Sequence, residues 1–359
     1  MLCPCMGRFI FKTNSSLWSS KVFLSTIKQN VLDSSTTRLM PEASNCDTRL
    51  LKVAIIGMPN AGKSTLINGL MDRKVCATSL KVHTTRSKAK AIFTRDDTQI
   101  VFFDSPGLVN EREMKKFNLQ NTFSRDCRSI SKEADIIGVI HDASNIWTRE
   151  KLDIKIIKIL EKHKEKSSFL ILNKVDKLNS KRKLLDITKI LTENSISGKP
   201  IGMRNISEKE CIENKGWPYF SNIFMVSALT GDGLTEIQDY LITNAKPGEW
   251  MFPEEVWTDQ NPESIILNTV RGVLLDYLPQ EIPYKLKPII EYFHVDELTG
   301  KINTVVLIDC PTSRIARLLS GTSDGRLRLL TEQIQGDLQN AFKNFVKIQI
   351  VPKYTGSSK

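Results

Sequence analysis

No run of apolar residues in this 359-residue chain approaches the roughly 20 that a membrane-crossing helix requires. A helical span is therefore not expected, and a soluble or peripheral protein is. No C-x-x-C pair occurs either. The seven cysteines are odd in number and scattered, with only Cys3 and Cys5 close together. That argues against a disulfide framework or a zinc site and fits a reducing compartment. Acidic residues are missing from the first 32 positions, where Arg8, Lys12, Lys21 and Lys28 precede Asp33. Serines are dense there (Ser15, Ser16, Ser19, Ser20, Ser25), and Phe9, Phe11, Leu17, Trp18, Val22 and Phe23 supply apolar faces. Basic, Ser-rich, acid-poor and amphipathic is the pattern of an organellar transit peptide, here read as mitochondrial import over residues 1–48. A secretory signal fits less well, because polar residues interrupt every apolar stretch. The whole chain carries a formal charge of +11, which favours a polyanionic partner, nucleic acid before an anionic membrane surface.

Against that background one stretch organises the rest. Gly57-Met58-Pro59-Asn60-Ala61-Gly62-Lys63-Ser64-Thr65 matches G-x-x-x-x-G-K-S/T. It follows an apolar run of strand length, Leu51 to Ile56, and Ser64 to Met71 reads as the start of a helix. Backbone N–H groups of such a loop, with the helix N-terminus behind them, bind phosphate oxygens. Lys63 is expected on the β- and γ-phosphates and Ser64 on Mg²⁺.

Apolar strand candidates recur at Gln99–Asp104, Ala134–Asp142, Ser167–Asn173 and Asn222–Ala228, with helical patterns at Thr148–His163 and Leu234–Ile242. This alternation predicts a mostly parallel sheet with helices on both faces, and ligands at the carboxyl ends of its strands. Each further motif falls at such an end. Asp104-Ser105-Pro106-Gly107 follows a strand: the aspartate is expected to hold Mg²⁺ through water, and the Gly107 N–H to meet the γ-phosphate. In the segment Lys81–Lys90, Thr85 is the expected residue completing the Mg²⁺ shell, with Thr84 as the alternative. Lys63, Thr85 and Gly107 are thus the expected catalytic contacts. Asn173-Lys174-Val175-Asp176 follows the strand at Ser167. A carboxylate at Asp176 can accept from the ring N–H and exocyclic amine of guanine, donors that adenine does not present there, so the nucleotide is expected to be GTP. Asn173 is expected to bond the ring's other edge and tie to the phosphate loop, and Lys174 to lie along the base. Ser227-Ala228 is expected to offer a backbone N–H to the guanine oxygen.

Taken together, GMPNAGKSTLIN, TTRSKA, FFDSPGL, ILNKVD and MVSAL resemble the Era family of GTPases, and the resemblance extends over roughly residues 51–353. A long segment between Asp176 and Ser227 resembles mitochondrial rather than bacterial members. Leu108 follows Gly107 where Ras-like enzymes carry a water-orienting glutamine, so hydrolysis is expected to be slow and to use another group or a bound K⁺, with Asn60 the candidate ligand. Helix, two strands, helix, turn, helix and strand after residue 261 resemble the type II KH domain of the family. A KH domain clamps single-stranded RNA with a G-x-x-G turn. Here Gly321 matches the first glycine, Asp324 stands at the second position, and Gly325 falls one residue late. Arg314, Arg317, Arg326 and Arg328 flank the turn as candidate phosphate contacts, while the Asp324 carboxylate is expected to repel phosphate.

The resulting expectation is an α/β P-loop GTPase domain (49–246, with an insert at about 194–221), a linker (247–260) whose tryptophans pack between domains, and an α+β type II KH-like domain (261–353) with a tail (354–359). The resemblance implies GTP and Mg²⁺ as cofactors and small-subunit mitochondrial ribosomal RNA and the small ribosomal subunit as partners. It also implies a monomer in the mitochondrial matrix, with room for peripheral contact with the inner membrane. The competing reading is a GTP-controlled protein-docking module whose KH-like domain no longer binds RNA.

Overall fold

The computed structural model describes residues 48–78, 89–104, 129–178, 180–200, 216–279, 281–296 and 298–354. Residues 1–47 of the candidate transit segment, Thr84, Thr85, and Ser105 through Leu108 lie outside them.

The first sheet is built around β1 (Arg49–Gly57), which has β3 (Thr98–Asp104) on one side and β4 (Ile136–Asp142) on the other, both parallel. Beyond β4 come β5 (Ser167–Asn173) and β8 (Phe220–Met225), also parallel. β2 (Ala89–Arg95) runs antiparallel to β3 at the other edge, giving the order β2-β3-β1-β4-β5-β8. β1 and β4 are buried along almost their whole length, as parallel strands covered on both faces must be. One side packs Leu66, Ile67 and Leu70 of α1 (Lys63–Met71) and Ile237 and Leu241 of α4 (Leu234–Thr243). The other packs Ile156 and Leu160 of α2 (Ile154–Lys162) and Leu184 and Leu191 of α3 (Lys181–Leu191).

α2 is shorter than the apolar spacing from Thr148 suggests. Asn145 accepts through its backbone oxygen from Thr148 and Arg149, and through its side chain from Trp147. These local bonds compete with a helix. The helix starts only where Asp153 accepts from the Lys155 N–H at 2.8 Å, an N-cap worth about 1 kcal/mol. Within the insert, β6 (Ser195–Ile196) and β7 (Lys199–Pro200) form a small hairpin. Trp217 is buried, its backbone N–H donates to Leu191 O, and Lys164 lies 4.1 Å from the Tyr219 ring. This part of the insert is thus seated against α3; residues 201–215 lie outside the described set.

β9 (Lys246–Pro247) returns antiparallel to the start of β1. After the connecting segment comes α5 (Pro262–Tyr277), opened by an Asn261 side-chain cap on Ser264 N and by proline at its first position. α6 (Ile282–Lys285) is a single turn absent from the sequence expectation. β10 (Lys287–Val295) pairs antiparallel with β11 (Ile302–Cys310), and β11 pairs parallel with β12 (Val346–Tyr354). Burial alternates strictly along β11, so one face of this sheet is covered. The cover is α5, α7 (Ser313–Ser320) and α8 (Gly325–Phe342), through Ile266, Val270, Leu319, Leu330, Ile334 and Leu338. Apart from the added turn α6, the order α-β-β-α-α-β is the one expected. Trp257 touches both cores: it packs on the first beside Arg73, whose guanidinium lies 4.8 Å from its ring, and on Phe342 of α8 at 6.1 Å. The expected inter-domain position thus applies to Trp257; Trp250 instead donates to Asp97 O of the first sheet.

Candidate functional site

Strand register sets the site. Ile55 is level with Asp104, Gly57 with Ile140, and Asp142 with Asn173, so β1, β3, β4 and β5 end on one edge of the sheet. Gly57 has no room for a side chain, since a Cβ would meet Ile140 O at 2.6 Å. Asn60 (φ 59°) and Gly62 (φ 101°) turn the loop through left-handed conformations, and Gly62 hands over to α1 with no side-chain cap on its first turn. The N-terminal amides of α1 therefore point at the space the loop encloses, as an anion site needs. Lys63 is buried, and its ammonium donates to Gly57 O at 3.2 Å and Met58 O at 3.0 Å. It is stored on the loop's own carbonyls, bonds that an incoming phosphate would replace with stronger charge-assisted ones.

Ser64 Oγ donates to Asp104 Oδ2 at 3.3 Å, and Asp104 is almost fully buried. A hydroxyl and a carboxylate, brought together from residues distant in sequence, form a hard-oxygen donor pair of the kind Mg²⁺ takes together with waters and phosphate oxygens. These residues fit that ion.

The residues expected to read the base are held by a side-chain staple. Asn173 is buried; its Nδ2 donates to Ala61 O at 2.8 Å and its Oδ1 accepts from Ala228 N at 3.0 Å. The expected tie to the phosphate loop is present. The Ala228 N–H, expected on the guanine oxygen, is here engaged by Asn173. Lys174 has a left-handed backbone (φ 64°), and its ammonium reaches Asn60 O at 2.7 Å. Asp176 stands exposed on a single 3-10 turn, Val175–Lys177, which is anchored by the Val175 N–H on Val226 O. Ser227 is fully buried and its Oγ accepts from Thr230 N, closing the loop that carries Ala228. The structure thus gathers Gly57 to Thr65, Asp104, Asn173 to Asp176 and Ser227–Ala228 at one edge.

Sequence reasoning missed Asp142 and Ser144. Asp142 Oδ2 receives Lys174 Nζ at 2.6 Å, and its Oδ1 receives Ser144 N at 2.9 Å and Ser144 Oγ at 2.6 Å. Partial burial pushes the Asp142 carboxyl up, but the bonds from Lys174 and Ser144 outweigh it and hold the group below the ordinary carboxylate range. The available signal was positional: an aspartate ending an apolar strand, as Asp104 does. The neighbouring His141 is buried against Arg149 O, and burial lowers its pKa, so it is neutral and structural.

Comparison with known proteins agrees with this geometry. Residues 52–174 match the family model described as 50S ribosome-binding GTPase. "GTPase Era, mitochondrial" of Salmo salar is 34% identical over 351 residues, covering 86% of this chain and 77% of that protein. Its Danio rerio counterpart is 35% identical over 339 residues, covering 86% and 76%. The chain belongs to the Era family of GTPases. Two solved structures share its fold at 22% identity, each covering 86% of this chain and 95% of the other. One is Era in complex with MgGDPNP and nucleotides 1506–1542 of 16S ribosomal RNA (TM-score 0.67); the other is an Aquifex aeolicus Era variant bound to GDP·AlF4⁻ (TM-score 0.68).

The second candidate site of this Era-family chain is the turn between α7 and α8. Gly321 is left-handed (φ 74°), and a Cβ on it would meet the Arg326 Cβ at 2.7 Å. Ser323 (φ 49°) and Asp324 (φ 57°) are left-handed too. Asp324 thus adopts a left-handed backbone that glycine takes freely, and aspartate is among the residues that tolerate it. Gly325 starts α8, and nothing crowds it. Of the four arginines, Arg326 donates to Leu318 O at 2.8 Å and Arg328 pairs with Glu332 at 2.9 Å on an exposed helix face. Arg314 and Arg317 lie on α7, leading into the turn.

Proposed function

We propose that this chain is a mitochondrial GTPase that binds small-subunit ribosomal RNA through its KH-like end and assists small-subunit assembly. The observation that carries the nucleotide half is the convergence of Lys63, Ser64, Asp104, Asn173, Lys174 and Asp176 at one sheet edge. Lys63 and the N–H groups of the loop bind the β- and γ-phosphates. Ser64, Asp104 and Thr85 hold Mg²⁺, which supplies charge neutralisation at the phosphates when bound. Gly107 senses the γ-phosphate, with Ser105, Pro106 and Leu108 completing the switch segment. Asp176 reads guanine, and Asn173 joins the base and phosphate loops. With Leu108 in place of a water-orienting glutamine, turnover is slow, and Asn60 is the candidate K⁺ ligand. On this reading residues 49–246 hydrolyse GTP, 247–260 connect, and 261–353 contact RNA through Arg314, Arg317, Gly321, Gly325, Arg326 and Arg328.

The mitochondrial assignment rests on the relatives' names and on the acid-poor leader, and the matrix is the compartment where ribosomal RNA would be met. The RNA half draws support from the fold shared with an Era structure solved on 16S ribosomal RNA. A second reading, protein docking without RNA, is favoured by Asp324 at the turn and by the internal bonds of Arg326 and Arg328. Ultraviolet crosslinking in intact mitochondria separates the two: recovery of small-subunit ribosomal RNA supports the first, and its absence with GTP binding intact selects the second. Asp176→Asn should shift preference from guanine to xanthine nucleotides, and an unchanged GTP affinity would remove Asp176 from the base-reading role.

A further inference from the structure

The nucleotide reading gives Asp142 no task, yet the structure places it at the centre of the loops that form the base site. It ends β4, in register with Asn173, two residues beyond the Ile140 that faces Gly57. Both its oxygens are engaged in different directions. Oδ1 is fixed by the Ser144 backbone and hydroxyl, and Oδ2 takes the Lys174 ammonium at 2.6 Å. The same ammonium donates to the Asn60 carbonyl of the phosphate loop at 2.7 Å. Carboxylate, ammonium and loop carbonyl thus form a chain across the three strand ends. Both members of the ion pair are largely shielded, with side-chain exposures of 25% for Lys174 and 19% for Asp142. A lysine stem carries about 2 kcal/mol of rotamer entropy when its head is free. Here the head is held at two points, so the stem is laid out before any base arrives.

We propose that Asp142, itself oriented by Ser144, is a positioning residue for guanine recognition. By holding the Lys174 ammonium against the Asn60 carbonyl, it fixes the Lys174 stem as a wall of the base slot and so sets how slowly guanine nucleotide leaves. The inference rests on the nucleotide reading and adds to it a residue that never touches the nucleotide. Its carboxylate acts through Lys174, so its effect must vanish when that lysine is gone.

The test uses the full-length protein and a fluorescent GDP, followed by dissociation rate. Asp142→Asn keeps an acceptor for Ser144 but turns an amide donor toward the ammonium. Loss of a charge-assisted bond of this kind predicts dissociation faster by about tenfold or more. Asp142→Glu should recover part of the effect. On a Lys174→Ala background, Asp142→Asn should change the rate by less than about twofold, the scatter expected of independent sites. Asp142→Asn should still prefer guanine to xanthine, whereas Asp176→Asn should not. A purely structural role would lower the thermal midpoint of the nucleotide-free protein and accelerate release equally on both backgrounds; that result overturns the proposal. So does an Asp142→Asn rate within about twofold of the wild type. If Asp142→Asn does not fold, Ser144→Ala, which removes the hydroxyl bond to Oδ1, keeps the backbone one and leaves the lysine untouched, must accelerate release by a smaller factor on the Lys174 background only. Wild-type protein that retains no guanine nucleotide refutes the nucleotide reading itself, and this inference with it.

Discussion

Replacing Gly62 by alanine tests how far the phosphate loop and the base loops are one object. Gly62 has φ 101°, where an L-residue costs about 1–2 kcal/mol. The added Cβ would sit 2.2 Å from Asn173 Nδ2, far inside van der Waals contact, with Asn173 Cγ at 3.5 Å. Asn173 has little freedom to retreat. It is buried and fixed at both ends of its amide, to Ala61 O at 2.8 Å and from Ala228 N at 3.0 Å. Breaking one buried bond and leaving its partner unsatisfied costs about 1–3 kcal/mol. The smaller conformational freedom of an unfolded alanine returns at most about 1 kcal/mol. The net loss is about 1–5 kcal/mol, which for a domain of this size lowers the thermal midpoint by roughly 2–20 °C. Scanning calorimetry without nucleotide reads this directly. Asn173→Ala should cost much less in the Gly62→Ala background than in wild type, because the alanine has already displaced the amide. A midpoint within about 2 °C of wild type would refute the argument, since strain and clash together cannot be so small.

Trp257→Ala removes a ring packed on both cores, and unfolding in urea should show a loss of about 2–3 kcal/mol, below the cost of a fully buried tryptophan, with the single transition splitting in two. An unsplit transition at the wild-type midpoint would show that the joint lies elsewhere. Asp324→Asn keeps a left-handed-tolerant residue and removes the carboxylate. Affinity for a single-stranded RNA oligonucleotide should rise a few-fold and the gain should shrink with salt, whereas equal affinities would discount the charge. Cys310 is buried, and burial first, then the nearby Asp309, pushes its thiol up to about 11. A thiol raised on folding stabilises the native state below its unfolded value and loses that contribution as pH rises through the folded value. Site-resolved alkylation at pH 8 should therefore leave Cys310 and the buried Cys76 intact until the chain unfolds, and stability should fall between about pH 9 and 11.

The nucleotide site was legible because its chemistry is written in short, contiguous words at strand ends. Gly57 to Thr65 and Asn173 to Asp176 each need only a strand before them to be interpretable. What the words do not contain is the path between them. That the Asn173 amide spans Ala61 and Ala228, or that Asp142 grips Lys174, follows from strand order, which places β4 between β1 and β5. An aspartate after an apolar strand resembles many others until its neighbour is known. The helix from Thr148 was misjudged for the opposite reason. Its apolar spacing is real, but Asn145 offers the backbone local partners that win over the first turns. At the α7–α8 turn the residue types suggested a damaged G-x-x-G motif. The backbone shows a left-handed Asp324, a conformation that glycine also adopts freely, so what the aspartate adds at this position is its charge.

One path between the two halves can be followed residue by residue. Helix α1 starts at the phosphate loop and, at 1.5 Å per residue, is about 13 Å long. Just past its end, Arg73 covers Trp257, Lys74 N donates to Asn340 of α8 at 2.8 Å, and the Lys74 side chain pairs with Asp337. The element whose N-terminus faces the candidate phosphate site is therefore pinned at its far end to the KH-like domain. Magnitudes decide which pin matters. The Lys74–Asp337 pair, with side-chain exposures of 23% and 12%, is shielded from salt and contributes about 1–2 kcal/mol, against about 2–3 kcal/mol for a tryptophan shared by two cores. Salt should therefore leave the joint standing, and loss of the Trp257 ring should do most to free one domain from the other. That makes the aromatic contact, more than the charges, the place where a change in the loop could be felt at the α7–α8 turn.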